Sequence, residues 1–547
     1  MRASALAISF LVTWLAVPLL AHFLLGRQHR PARDDRVTRW FKLRYRHWLV
    51  RCIARPWVLV VCVALLLGAG GFAFRQVGTG FMPSMDEGGF ILDYRTPPGT
   101  ALSETDRLLR QVEAIVRATP EVQTYSRRTA TGLGGGLSET NQGDFFIRLK
   151  PGRRRPVQEV MQDVRNRVEH QVPGVNVELA QLMEDLIGDL TAVPQPVEVK
   201  LFAADPKLLP GAAEQVAQRI AKVPGLVEVR SGINPAGDAI AVHVDRVAAA
   251  VEGLDPDQVT RALQTALAGS VATSYAQETK IVGVRVWTPA GSRATQAQLD
   301  DLPLRAPDGH LVPLRRIATF ETLSGQPQIT RENLKSMIAV TGRIEGRDLG
   351  SVVQDVKQTL AAGGALPGGV YYELGGLYQQ QQIAFKGLMT VFAAAAALVF
   401  LLLLFLYESF AVAASILCTS LLSVSAVFIG LWLTGIELNI SAMMGMTMII
   451  GIVTEVAVFY FSEQRQRHRP GRDLRRSLVG AGQFRARPIA MTTLAAILTL
   501  LPLALAIGAG SEMQQPLAVA IISGLVVQLP LVLFFMPTLY AWIEKAR

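Results

Sequence analysis

Glu455 is the residue whose placement demands a reason. It lies in Leu438–Glu463, LNISAMMGMTMIIGIVTEVAVFYFSE, a stretch apolar enough and long enough to cross a bilayer. A carboxylate at mid-membrane costs roughly 2.5–3.5 kcal/mol on insertion scales, so such residues are rare and mark ion pathways or paired sites. The chemistry open to it there is uptake and release of a proton. The plainer alternative is a protonated Glu hydrogen-bonded between helices. Further on, Arg485, Arg487 and Pro488 open another apolar run that carries Thr492 and Thr493 one turn inside. Their hydroxyls suit a buried carboxylate, or back-bonding to their own helix. The two arginines also suit topology anchors.

Other chemistries lack their residues. The chain has no GxxxxGK phosphate loop, no HExxH and no GxSxG. The seven histidines are scattered without metal-ligand spacing, and the three cysteines, Cys52, Cys62 and Cys418, fall in or beside apolar segments. The chain therefore reads as no enzyme, with no cofactor and no metal site. The net charge of +10 gathers in 27–55 and 463–487. The positive-inside rule accounts for that bias. Nucleic acid is not an expected partner, because no aromatic platform accompanies the charge.

These residues need elements to hold them. Seven segments are long enough to span: 3–25, 56–77, 387–407, 410–434, 438–462, 488–508 and 515–541. Alternating directions put loops 26–55 and 463–487 and the C-terminal EKAR inside, and 78–385 outside. A first helix entering from outside is expected to follow something, so the chain reads as a fragment or one chain of a split protein. Tyr407–Ser409 predicts a tight turn between two spans. Residues 36–55, VTRWFKLRYRHWLVRCIARP, mix arginines with aromatics and predict an amphipathic helix on the inner leaflet, with membrane lipid as its partner.

The outer region predicts alternating α and β elements. Strands are expected at Phe90–Arg95, Phe145–Leu149 and Val175–Leu179, with helices at Leu102–Arg117 and Pro156–Val172, a β-α-β-β-α-β order of ferredoxin-like type. A second set is expected at Val197–Phe202, Leu208–Val223, Val227–Ser231, Ile338–Arg343, Gly350–Ala362 and Val370–Leu374, interrupted by a small α+β insert within 236–320. Gly132–Gly136 predicts a flexible loop. The fold class is thus a polytopic α-helical membrane protein of about seven spans with a large α+β region.

Four spaced stretches, GTGFMPSMDEGGF, LPGGVYYELGG, LNISAMMGMTMIIGIVTE and RARPIAMTTLAAILTLLPLALAIGAGSE, closely resemble the resistance-nodulation-division (RND) efflux permeases. The likeness runs over the whole chain and covers the C-terminal half of such a permease. It implies a sixth-type helix at 1–26, a cytoplasmic loop at 27–55 and a further span at 56–77. It implies porter subdomains at 78–195 and at 196–235 with 321–376, a docking subdomain at 236–320, and a five-helix bundle at 387–541. It also implies a multi-pass protein of the bacterial inner membrane, exchanging protons for substrate as a homotrimer with a periplasmic adaptor, an outer-membrane channel and an N-terminal half chain. The alternative is a non-transporting fragment or split subunit. By the same resemblance Glu455, Arg485 and Thr492 match proton-relay positions, and the relay's acidic partners lie in a helix this chain lacks. Asp93, Gln142 and approximately Leu186 match cleft positions held by methionines in copper exporters, and Phe146 matches a pocket-lining position, with core packing the equal alternative for Phe146 and its neighbour Phe145. Neither a drug nor a metal subclass is cleanly matched.

Overall fold

A computed structural model describes residues 2–25, 36–83, 85–130, 139–152, 154–191, 195–233, 239–289, 291, 295–323, 329–362, 366–467, 473–508 and 510–545. The Gly132–Gly136 loop lies outside them. The chain divides into two compact units, Met1–Val77 with Phe385–Arg547, and Gly78–Ala384.

The first unit is helical. Among the described residues six helices are long and apolar enough to cross a membrane: Trp57–Gln76, Gly376–Tyr407, Phe410–Thr434, Ile440–Arg467, Leu474–Ala504 and the broken run Ser511–Lys545. The expected first span is a helix, Arg2–Leu25, but its apolar stretch among the described residues is the shorter Phe10–Leu20. Phe410–Thr434, Ile440–Arg467 and Gln515–Pro530 pack against one another and bury most of their length. Between apolar helices in lipid, small residues set how closely backbones approach. Gly445 fills that role: a Cβ there would meet the Ala520 Cβ at 2.8 Å and the Leu517 carbonyl at 3.1 Å. Gly451, expected to do the same, faces open space.

The expected loop 463–487 is mostly helix. Ile440–Arg467 and Leu474–Ala504 run past their apolar spans by several polar residues. Hydropathy marks where a helix leaves the apolar layer, not where its hydrogen bonding stops. The basic helix Arg36–Ala54 forms as predicted. Tyr45, Leu49, Cys52 and Ile53 are its buried face, at i, i+4, i+7 and i+8. Tyr45 donates its hydroxyl to the Leu533 carbonyl at 3.0 Å, while Trp40 and Trp48 face outward.

The second unit holds two α/β sandwiches and an insert. In the first, β1 (Gly89–Arg95), β2 (Val122–Thr129), β3 (Gln142–Leu149) and β4 (Asn176–Gln181) form one antiparallel sheet ordered β2-β3-β1-β4. The helices Leu102–Ala118 and Val157–Gln171 give it a β-α-β-β-α-β chain order. Strand β2, VQTYSRRT, alternates weakly and was not among the expected strands. In the second sandwich β5 (Val197–Ala203) is central. β6 (Leu226–Arg230) comes before the insert. The insert contains β7 (Ala239–Val244), β8 (Ser270–Gln277), β9 (Lys280–Val286), β10 (Pro303–Arg305), β11 (Leu311–Pro313) and β12 (Ala318–Leu323). After it come β13 (Thr330–Glu332), β14 (Lys335–Ile344) and β15 (Val370–Gly375), and β14 and β15 flank β5. The insert's β7 and β12 pair with each other, as do β8 with β9 and β10 with β11. Each sandwich and the insert has its own apolar core.

Candidate functional site

In the helical unit the three expected relay residues are not bonded to one another. Glu455, midway along Ile440–Arg467, lies exposed on the unit's surface and meets no hydrogen-bond or ion-pair partner among the described residues. The expectation of an acid bonded between neighbouring helices is thus not met within this chain. Thr492 is exposed and back-bonds, its hydroxyl donating to the carbonyls of Pro488 at 3.2 Å and Ile489 at 3.0 Å. Arg485 reaches a different acid, Glu463 Oε2, at 3.1 Å.

Glu463 escaped the sequence reading. Its side chain is 8% exposed and it accepts from Arg467 Nε at 2.6 Å. Two helices, each extended beyond its apolar span, bring these charges together. The sequence signal was the Glu463–Arg467 spacing of four, one helical turn. A polar segment between two apolar spans reads as a loop, which hides that turn. Arg485 also stacks its guanidinium 5.5 Å from the Phe484 ring. The contact suits a planar cation.

In the first sandwich strand alternation sorts the four expected cleft residues. Phe90, Leu92 and Tyr94 of β1 turn to the core, so Ile91, Asp93 and Arg95 turn to the other face. The register pairs Asp93 with Asp144 on one side and with Glu178 on the other, so three carboxylates stand in a cross-strand row. Gln142 pairs with Arg95 and accepts from its Nη2 at 3.4 Å. Phe146 pairs with Ile91 on that same face and lies under the Arg128 guanidinium at 4.8 Å. Phe145 points the opposite way. It is wholly buried against Tyr94 and Tyr125, and it belongs to the core.

The row is electrostatically uneven. Asp144 is bidentate to Arg128, from Nε at 2.8 Å and Nη2 at 2.5 Å. Glu178 is held by Arg343. Asp93, between them, has no cation bonded to it among the described residues. Burial, and then the charges of Asp185, Glu178 and Asp144, push its carboxyl up to about 7, against a smaller opposing pull from Arg343. A carboxylate so placed exchanges protons near neutrality and favours any cation that reaches it. Among the described residues no group of three or more His, Cys, Asp or Glu forms a metal-holding set.

Known proteins match most of this chain. The nickel and cobalt resistance protein CnrA of Cupriavidus metallidurans is 30% identical over 555 residues, covering 99% of this chain and 51% of that protein. The cobalt-zinc-cadmium resistance protein CzcA of the same organism is 27% identical over 536 residues, covering 96% of this chain and 50% of CzcA. The chain thus spans about half the length of these relatives. A crystal structure described as a heavy metal efflux pump, crystal form II, superposes with a TM-score of 0.77 at 25% identity, covering 93% of this chain and 53% of that one. The AcrB/AcrD/AcrF family model matches residues 2–544. With nearly its whole length matched and the apolar helices and β-containing region in place, the chain belongs to the AcrB/AcrD/AcrF family of RND efflux permeases.

Proposed function

We propose that this chain forms part of a proton-driven permease that exports divalent metal cations. The observation that carries the metal reading is Asp93, a carboxyl on the sheet face between Asp144 and Glu178 that has no cation bonded to it among the described residues. Once ionised, Asp93 attracts a cation, and of the two expected pocket aromatics Phe145 is spent in the core while Phe146 lies against Arg128. The names of CzcA and CnrA support the same class. On this reading Asp93, Gln142 and Phe146 line the substrate cleft. The two sandwiches, 78–195 and 196–235 with 321–376, act as ferredoxin-like porter subdomains, and 236–320 is the docking subdomain. The permease works in the inner membrane as a trimer, with a periplasmic adaptor, an outer-membrane channel and the helices this chain lacks. The basic helix Arg36–Ala54 rests on the inner leaflet, with Trp40 and Trp48 in the headgroup layer.

Glu455 is the proton-carrying residue. Its exposure on the unit's surface supports a role facing helices outside this chain, since a carboxylate left in lipid is costly. The test is a strain deleted for the gene and profiled against cobalt, nickel, zinc, cadmium and a drug panel. Metal sensitivity is expected, with resistance restored by wild type and not by Glu455→Gln at equal expression. Sensitivity confined to drugs would remove the metal reading, and full resistance from Glu455→Gln would remove the proton role.

A further inference from the structure

The two sandwiches of the second unit are joined by charge rather than by a shared core. Phe90, Leu109, Phe145 and Val164 belong to one apolar cluster, Leu201, Val216, Val340 and Val353 to another, and no residue belongs to both. Arg343 of β14 sends Nε and Nη2 to Glu178 Oε1 of β4 at 3.0 Å and 2.9 Å, and Nη1 to Glu184 Oε1 at 2.7 Å. Arg230 of β6 adds a contact to Glu178 Oε2 at 3.1 Å. In the opposite sense Arg165, from the helix Val157–Gln171, donates to Glu228 Oε1 of β6 and to Glu345 Oε2, both at 2.6 Å. Each sandwich therefore inserts an arginine among the other's carboxylates. Both guanidinium groups are buried, at 7% and 10% exposure.

Glu228 is held in an unusual backbone state. Its φ is +51°, a left-handed conformation that a residue with a Cβ adopts at a cost. The β6–β14 ladder shifts register around it, between Thr341 and Arg343. Its side chain is 3% exposed, lies 3.4 Å from Arg343 Nε, and accepts from the Leu179 backbone N–H at 3.4 Å. Strain of this kind persists where the surroundings over-determine it, and it gathers at switch elements.

Such an interface behaves differently from an apolar seam. A buried ion pair gains little over hydrophobic packing when complete, but losing one partner is costly. When the two bodies part, every charge regains water and no apolar core is torn. We infer that Arg343 with Glu178 and Glu184, and Arg165 with Glu228 and Glu345, form a two-way clasp that holds the sandwiches closed and releases as a unit, leaving both cores intact. That the clasp governs access to the Asp93 face rests on the transport reading; the clasp itself does not.

The test uses the full purified chain, with Cys52, Cys62 and Cys418 replaced and spin labels at the exposed Ser103 and Gln215, one on each sandwich. Pulsed electron resonance should give one narrow distance distribution for the otherwise native chain. Arg165→Met with Arg343→Met should shift the closed-to-open ratio by roughly 100-fold or more towards longer distances. Arg343→Lys should fall between, because an ammonium cannot span Glu178 and Glu184 as a guanidinium fork does. An unchanged distribution in these variants, with native circular dichroism, overturns the clasp. Should the double variant fail to fold, Arg343→Lys and Glu184→Gln decide by the same measurement. The distances need no substrate and no gradient. Unchanged distances alongside a metal phenotype overturn the clasp alone, and an intact clasp without that phenotype overturns the transport reading alone.

Discussion

Asp93 shows how one position carries a measurable consequence. Its carboxyl titrates near 7 in the folded chain, against an ordinary value of 3.8. The folded state therefore holds a proton that the unfolded state has lost between those values, and stability falls as pH rises across that window. Asp93→Asn removes the titration. The variant should melt above wild type at pH 8, by ~2–4 °C for each kcal/mol relieved. The gap should close as pH falls from 7 towards 4, as followed by thermal melting of the purified chain. A gap that stays constant with pH would show that the carboxyl is not the cause. The same scale marks a limit of sequence reading. Asp93 was reached only through resemblance, and nothing local announced its row, because Asp144 and Glu178 lie 51 and 85 positions further along the chain. Glu463 was nearer to hand. Its partner Arg467 is one turn away, and only the assumption that a polar segment must be a loop concealed it.

At the scale of elements, periodicity and hydropathy were enough to find most helices and strands. Long apolar runs and the amphipathic spacing of Val157, Val160, Met161, Val164 and Val168 come from the burial that forms them. Elements stabilised from outside were harder to see. β2 has little alternation of its own and is held by its ladder with β3. Packing partners were also only partly legible: Gly445 and Gly451 look alike in sequence, yet one abuts Ala520 and the other faces open space. This yields a paired prediction. Gly445→Val should destabilise the helical unit by about 1–3 kcal/mol through overpacking. Gly451→Ala should be neutral or slightly stabilising by helix propensity. Melting in detergent measures both, and equal losses would mean that the close approach at Gly445 is not required.

At the scale of the whole molecule, the interrupted second sandwich sets the order in which structure can form. β5 is the central strand, and its partners β14 and β15 both lie beyond the insert. From the end of β5 at Ala203 to the start of β14 at Lys335 is 132 positions. At about 5–20 residues per second, synthesis leaves β5, VEVKLFA, without ladder partners for roughly 7–26 s. The first sandwich has no such wait, since all its strands precede β5. An unpaired apolar strand is an aggregation hazard for as long as it stays open. The insert shortens the search at its end: β7 and β12 pair Ala239 with Leu323, so its two ends are brought side by side once it folds. Replacing 239–323 by a short Gly/Ser linker should therefore leave the second sandwich able to close and should speed its refolding, because loop-closure entropy grows with length. Stopped-flow refolding of the 78–384 unit with and without the insert would measure this, and slower closure in the shortened chain would mean that the insert guides the sandwich rather than delaying it. The insert thus acts as a timer: it holds the second sandwich open during synthesis and hands it two adjacent ends when it has folded.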